Sequence, residues 1–164
     1  MALIPNAANR FKPARGIIGT WANMEEDNAR TVFAGSEFAA AVPLALGATE
    51  MTAVPLTTGN RFIGIALANN TMYGTPLADG TPTYAEGDLL GVADMGTVFV
   101  LAGEDVTEGA VPFYDPATRK YHGTTAAGRL PLAGCEFDET AADGEPVALR
   151  IRLTPGAAAV VAES

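Results

Sequence analysis

Glycine and proline punctuate this chain so closely that a long helix has nowhere to form. Eighteen glycines and eleven prolines are spread over 164 residues. A proline inside a helix removes a hydrogen bond and clashes with the preceding turn, and an interior glycine costs about 1 kcal/mol relative to alanine. What survives between the breaks is a series of short apolar runs of strand length. Hydrophobic residues make up 48% of the chain and charged residues 18%, enough apolar content to fill a core. The chain therefore reads as mostly β, a compact antiparallel barrel or sandwich-like domain with little helix.

Alternation places the runs. In Val147–Leu153 one face carries Val147, Leu149, Ile151 and Leu153, and the other carries Ala148, Arg150 and Arg152. That period of two predicts a half-buried strand. RFIGIALA (61–68) predicts another, with Ile63, Ile65 and Leu67 on one side. Further runs fall at Phe38–Leu46, Met51–Thr57, Ala110–Asp115 and Leu130–Phe137, each interrupted by proline or glycine. Asp88–Ala93 and Thr97–Ala102 read as a hairpin turning at Met95-Gly96. NMEEDNAR (23–30) has an Asn cap and early acids, so one or two helical turns are expected there. Residues 69–82 form a long polar loop. The division expected is an extended N-terminal arm over 1–22, a β domain over 23–153 and a tail over 154–164.

Charge separates the arm from the rest. Arg10, Lys12 and Arg15 give the first 24 residues a charge of +3, leaving −12 for the remainder of a chain whose total is −9. An acidic body lacks the Lys/Arg clusters that phosphate backbones require, so no nucleic-acid partner is expected. The apolar runs are too broken to span a bilayer, no secretory signal opens the chain, and no membrane partner is expected. Within RFKPARGIIGTWA (10–22), Pro13, Gly16 and Gly19 disfavour helix while Phe11, Ile17, Ile18 and Trp21 make the segment adhesive. A basic, apolar, non-helical stretch of this kind suits an arm that lies on another protein.

Catalytic residue types are scarce. The chain has two serines, Ser36 and Ser164, one histidine, His122, and one cysteine, Cys135. Neither Ser36 nor Cys135 sits in a nucleophile motif, and Cys135, in LAGCEF, reads as a small buried hydrophobe. Ser36 reads as a turn residue and His122 as a surface one. Tetrahedral zinc wants several Cys and His ligands, which are lacking. The acidic loops EDVTE (104–108) and DETAADGE (138–145) do not have calcium-loop spacing. GVADMG (91–96) has neither phosphate-loop pattern. No cofactor, metal or catalytic residue is expected.

Taken in order, RFKPARGIIGTWA (10–22), TGNRFIGIALAN (58–69), YAEGD (84–88), GTVFV (96–100), Val106–Tyr121 and CEFDETAADGEPVALRIRL (135–153) resemble the structural cement proteins of tailed bacteriophages. The resemblance implies a non-enzymatic virion protein on the outer capsid surface. It would bind the junctions of the major capsid protein and stabilise the shell. It would also be an oligomer, most simply a homotrimer, with a homodimer as the alternative. In that role Arg10, Phe11, Lys12, Pro13, Arg15, Ile17, Ile18 and Trp21 would form the capsid-binding arm. Arg150 and Arg152 would meet acids of a neighbouring subunit. Two other readings compete: a fibre or tail component presenting loops to a receptor, and a metal-dependent acidic β-barrel hydrolase.

Overall fold

Short apolar runs resolve into twelve strands in the computed structural model, which describes residues 16–23, 25–68, 77–78 and 80–164. In chain order they are β1 (Asn28–Ala34), β2 (Phe38–Ala39), β3 (Pro43–Leu46), β4 (Thr52–Pro55), β5 (Phe62–Ala66) and β6 (Thr83–Tyr84). There follow β7 (Leu89–Leu101), β8 (Phe113–Asp115), β9 (Lys120–His122), β10 (Leu130–Pro131), β11 (Cys135–Phe137) and β12 (Pro146–Arg152). The described residues contain no helix.

Five strands close a barrel. The order β1-β4-β3-β5-β7 returns to β1 through a direct β1–β7 pairing, so none of the five is left as a free edge in the ring. The β1–β4 pair is parallel, one exception to the otherwise antiparallel ring. A barrel of so few strands has a narrow lumen that side chains fill. Leu44, Ala53, Ile63, Ile65, Ala66, Leu90 and Val92 are almost completely buried. Burial of each large aliphatic among them contributes about 1.5–3 kcal/mol. β5 is buried on both faces, where alternation alone predicted one, because it lies between β3 and β7 and under the chain at Ala41.

The second half of β7 leaves the ring. It pairs along its length with β12, and β12 pairs with β11, so the sheet continues past the barrel. The expected hairpin at Met95-Gly96 is instead one strand of 13 residues. Gly96 has φ +122°, a backbone angle that side chains oppose, and the β1–β7 ladder slips beside it between Asn28 and Ala29, where Asp94 of β7 is the extra residue. The strand bends there and changes partners without reversing. β12 itself follows its alternation: Val147, Leu149 and Ile151 have no exposure, while Arg152 is open.

One other expectation changes. The helical turns predicted over 23–30 are absent among the described residues, and Asn28–Arg30 belongs to β1. Asn23 Oδ1 does accept an amide hydrogen bond, from Glu25, but this is a local turn, and pairing of β1 with β7 overrides the capping signal. The course of 154–164, which the sequence leaves open, is set by backbone hydrogen bonds within the chain. Val160 exchanges backbone hydrogen bonds with Gly59 and Asn60, and Glu163 does so with Gly128 and Arg129. The tail thus ties the β4–β5 turn to the loop before β10.

A small sheet of β10, β8 and β9 packs against the barrel through tyrosines. Tyr121 is fully buried, stacks tilted on Tyr114 at 5.1 Å and donates its hydroxyl to the Ala41 carbonyl at 2.5 Å. Ala41 has φ +60°, so this bond helps hold a strained turn between β2 and β3. Of the loop expected over 69–82, residues 69–76 and 79 lie outside the described residues.

Candidate functional site

Trp21 shows how the sequence positions its adhesive stretch. Its backbone bridges Val98 of β7, and its ring lies over Gly96, where a β-carbon would come within 2.6 Å of Cζ3. The bend in β7 is therefore also a seat for an indole. Around it the chain pairs with β7: Gly19 and Ala22 donate to Phe99 and Thr97 carbonyls at 2.8 and 2.7 Å, and Phe99 donates back to Thr20 at 2.9 Å. Ile18 and Trp21 are half-buried against the core, whereas Ile17 is 72% exposed. Gly16–Ala22, read from sequence as the last third of the arm, is fixed to the body of its own chain. Arg10, Phe11, Lys12, Pro13 and Arg15 lie outside the described residues.

Arg150 and Arg152 stand on the solvent side of β12 as alternation predicted, and each meets carboxylates of its own chain. Arg150 pairs with Asp138 and lies 3.6 Å from Glu136, its register partner on β11. Arg152 lies 3.6 Å from Glu26, with both side chains largely exposed. Exposed pairs of that kind contribute about 0–1 kcal/mol and leave the arginine available.

His122 is buried rather than on the surface. Its Nδ1 lies 3.5 Å from Glu104 Oε2, but neither ring nitrogen has a hydrogen-bond partner. It therefore activates neither Ser36 nor Cys135. Cys135 is buried, and burial pushes its thiol up, away from the reactive thiolate form. Among the described residues no three His, Cys, Asp or Glu side chains are grouped to hold a metal ion.

The acidic loops are structural turns. Burial alone would raise the Glu104 carboxyl, but hydrogen bonds from the Thr124 hydroxyl and amide, with His122 nearby, outweigh it and hold it below its ordinary value. Burial likewise opposes ionisation of Asp115, and bonds from Ala117 and Thr118 again prevail. A carboxyl depressed on folding stabilises the native state above its unfolded pKa, and that contribution disappears as pH falls through the folded value. Stability is expected to be level from neutral pH down to about 4.5 and to fall below it. Glu104→Gln and Asp115→Asn together should flatten that fall, as read by thermal melts across pH.

Three of the exposed large apolar side chains lie together at one end of the barrel. Phe33 on β1 faces Leu89 on β7, and its amide bonds to the Met51 carbonyl. The three side chains are 43%, 50% and 56% exposed. Such a patch suits contact with another protein.

The chain is similar to known proteins in sequence and in fold. The family of phage structural cement proteins (E217 gp24/Pam3 gp6) matches residues 4–152. A chain from the capsid of Myoviridae phage XM1 superposes with a TM-score of 0.66 at 19% identity, covering 90% of this chain and 96% of that one. The N base of head fibre gp8.5 of bacteriophage phi29 gives a TM-score of 0.41 at 19% identity, over 79% of this chain and 99% of that one. No curated protein matches the sequence.

Proposed function

This chain belongs to the phage structural cement protein family and is a structural protein of the virion capsid, and on that premise we propose how it holds the shell together. It binds the outer surface of the head where major capsid protein subunits meet and adds buried contact across those seams. The family match, running over nearly the whole chain, is the observation that carries this reading. The closed barrel supports it, because a rigid body transmits load between the patches it bridges. Several weak contacts on one rigid body act together through effective concentration.

The work is done by binding, without catalysis. The leader up to Arg15 carries three cations and Phe11 and reaches onto neighbouring capsid subunits. Its base at Gly16–Ala22 is anchored on β7, so tension on the leader passes into the long central strand. Self-association, as a trimer at a local threefold or a dimer at a twofold, would multiply the contacts. The test adds purified protein to heads assembled from the major capsid protein alone and measures bound mass by sedimentation. Saturation at a fixed number of copies per capsid subunit, with heads that then resist heating, is expected. Unsaturable or absent binding would overturn the reading.

A further inference from the structure

Cations are few in this acidic body, yet three arginines converge on one groove. Arg30 lies on β1 on the face continued inward by Val32 and Ala34, so its side chain enters the end of the barrel opposite the Phe33 patch. Arg61 stands just before β5 and Arg152 closes β12, and both are exposed. Together they line a groove of about 470 Å³ whose walls include Phe62 and Leu153. The groove's acid, Asp94, accepts a hydrogen bond from Asn28 Nδ2 at 2.7 Å.

Pairing separates Arg30 and Arg61 from four other cations of the body, among them Arg152 of the same groove, which lies 3.6 Å from Glu26. Lys120 pairs with Asp143, Arg129 with Glu104, and Arg150 with Asp138. Among the described residues no carboxylate lies within ion-pairing distance of Arg30 or Arg61, although the chain has 19 acids. Arg30 Nη2 donates to the Ile63 carbonyl at 3.2 Å, but its Nε is buried without an acceptor. A buried donor left in that state costs about 1–3 kcal/mol. A planar guanidinium fork is shaped to take a carboxylate through two parallel bonds.

We propose that this groove receives an acidic side chain, an aspartate or glutamate flanked by apolar residues, presented by the capsid protein on which the chain sits. The proposal rests on the capsid reading above and adds to it the chemistry of one contact. The body's charge repels a polyanion such as nucleic acid, whereas one carboxylate on a protein loop brings a single charge. Apolar flanks on that loop would cover Phe62 and Leu153. A second copy of this chain fits less well, because it would bring a net charge of −9 against a body that is itself acidic. Once the loop is seated, water is excluded and the ion pair strengthens.

Arg61→Glu tests this with little risk to the fold, since Arg61 is exposed and makes no ion pair in its own chain. Wild-type and variant are titrated onto heads assembled without the cement protein, over a range of NaCl. Thermal melts and sedimentation of each free protein run alongside. An unchanged melt with capsid affinity lowered at least about tenfold is expected. The salt dependence of the variant should also be shallower. Arg30→Gln should weaken binding in the same direction. Wild-type affinity in Arg61→Glu would overturn the groove proposal and leave the capsid reading standing. Failure of the wild-type protein to bind heads would overturn both. A change in the mass of the free protein on Arg61→Glu would give the groove to a second copy and overturn the capsid occupant.

Discussion

Gly64→Ala is expected to destabilise the protein by about 4 kcal/mol, the largest loss of any methyl-sized change in the barrel. Gly64 is the middle residue of β5 and has φ +140°. A β-carbon there would lie 2.3 Å from the Ala93 carbonyl oxygen of β7 and 2.7 Å from Val92 Cγ1. The nearest obstacle is backbone in the neighbouring strand of a closed ring, so it has no rotamer to change. Either β5 separates from β7 or the ring opens. The β3–β5 ladder already slips in register between Leu44 and Ala45, and Gly64 pairs with Leu44, so the site is the tight corner where the sheet curls. Gly59→Ala is the control: φ is positive there too, at +89°, but nothing lies within 4 Å of the added carbon. It should cost about 1 kcal/mol from backbone angle alone. Urea unfolding of both variants, followed by circular dichroism, separates the two costs.

Removing residues 1–15 is expected to leave the melting temperature unchanged and to lower capsid affinity about a hundredfold. The cut falls before Gly16, so the hydrogen bonds of Gly19, Thr20 and Ala22 with β7 remain, as does the seat of Trp21 over Gly96. Lost with the leader are Phe11 and the cations Arg10, Lys12 and Arg15. A deletion extended through Ala22 should behave differently. It would unpair the backbone along Thr97–Phe99, uncover the core beneath Ile18 and Trp21, and lower the melt by several degrees. Comparing the two deletions separates the part of the segment that serves the fold from the part that serves the partner. Equal capsid affinity for full-length protein and the shorter deletion would leave binding to the barrel surface alone.

The strands that face a single core were legible in the sequence. Val147–Leu153 alternates cleanly, and β12 occupies Pro146–Arg152, because one side of that strand meets the core and the other meets water. Legibility failed where a residue answers to two neighbours at once. Met95-Gly96 has turn chemistry, yet β1 and β12 hold β7 on either side of it, and the glycine serves a bend. Asn23 and the acids after it carry a helix-start pattern, but long-range pairing of Asn28–Ala34 prevails. His122 looked like a surface residue because its burial comes from the Glu104 loop folding over β9, a contact distant in sequence.

The interaction residues were legible only in part. The adhesive character of 10–22 is plain from its composition, but composition does not tell that Trp21 packs on its own chain. Arg30 and Arg61 escaped notice because neither belongs to a charged run. A signal was present for Arg30, which holds an inward position two before Val32 and four before Ala34, where an apolar residue is the usual occupant. Arg61 carries no such mark, since only the closed ring brings it beside β1 and the end of β12.

The central claim is that the leader reaches across to the shell while the barrel holds it in place. A cryo-electron microscopy reconstruction of decorated heads, at a resolution that traces backbone, tests it most directly. The account predicts continuous density leaving Gly16 and running over a capsid subunit, with the Phe11 ring in a capsid pocket. Density that turns back at Gly16 and covers only the chain's own barrel would contradict it.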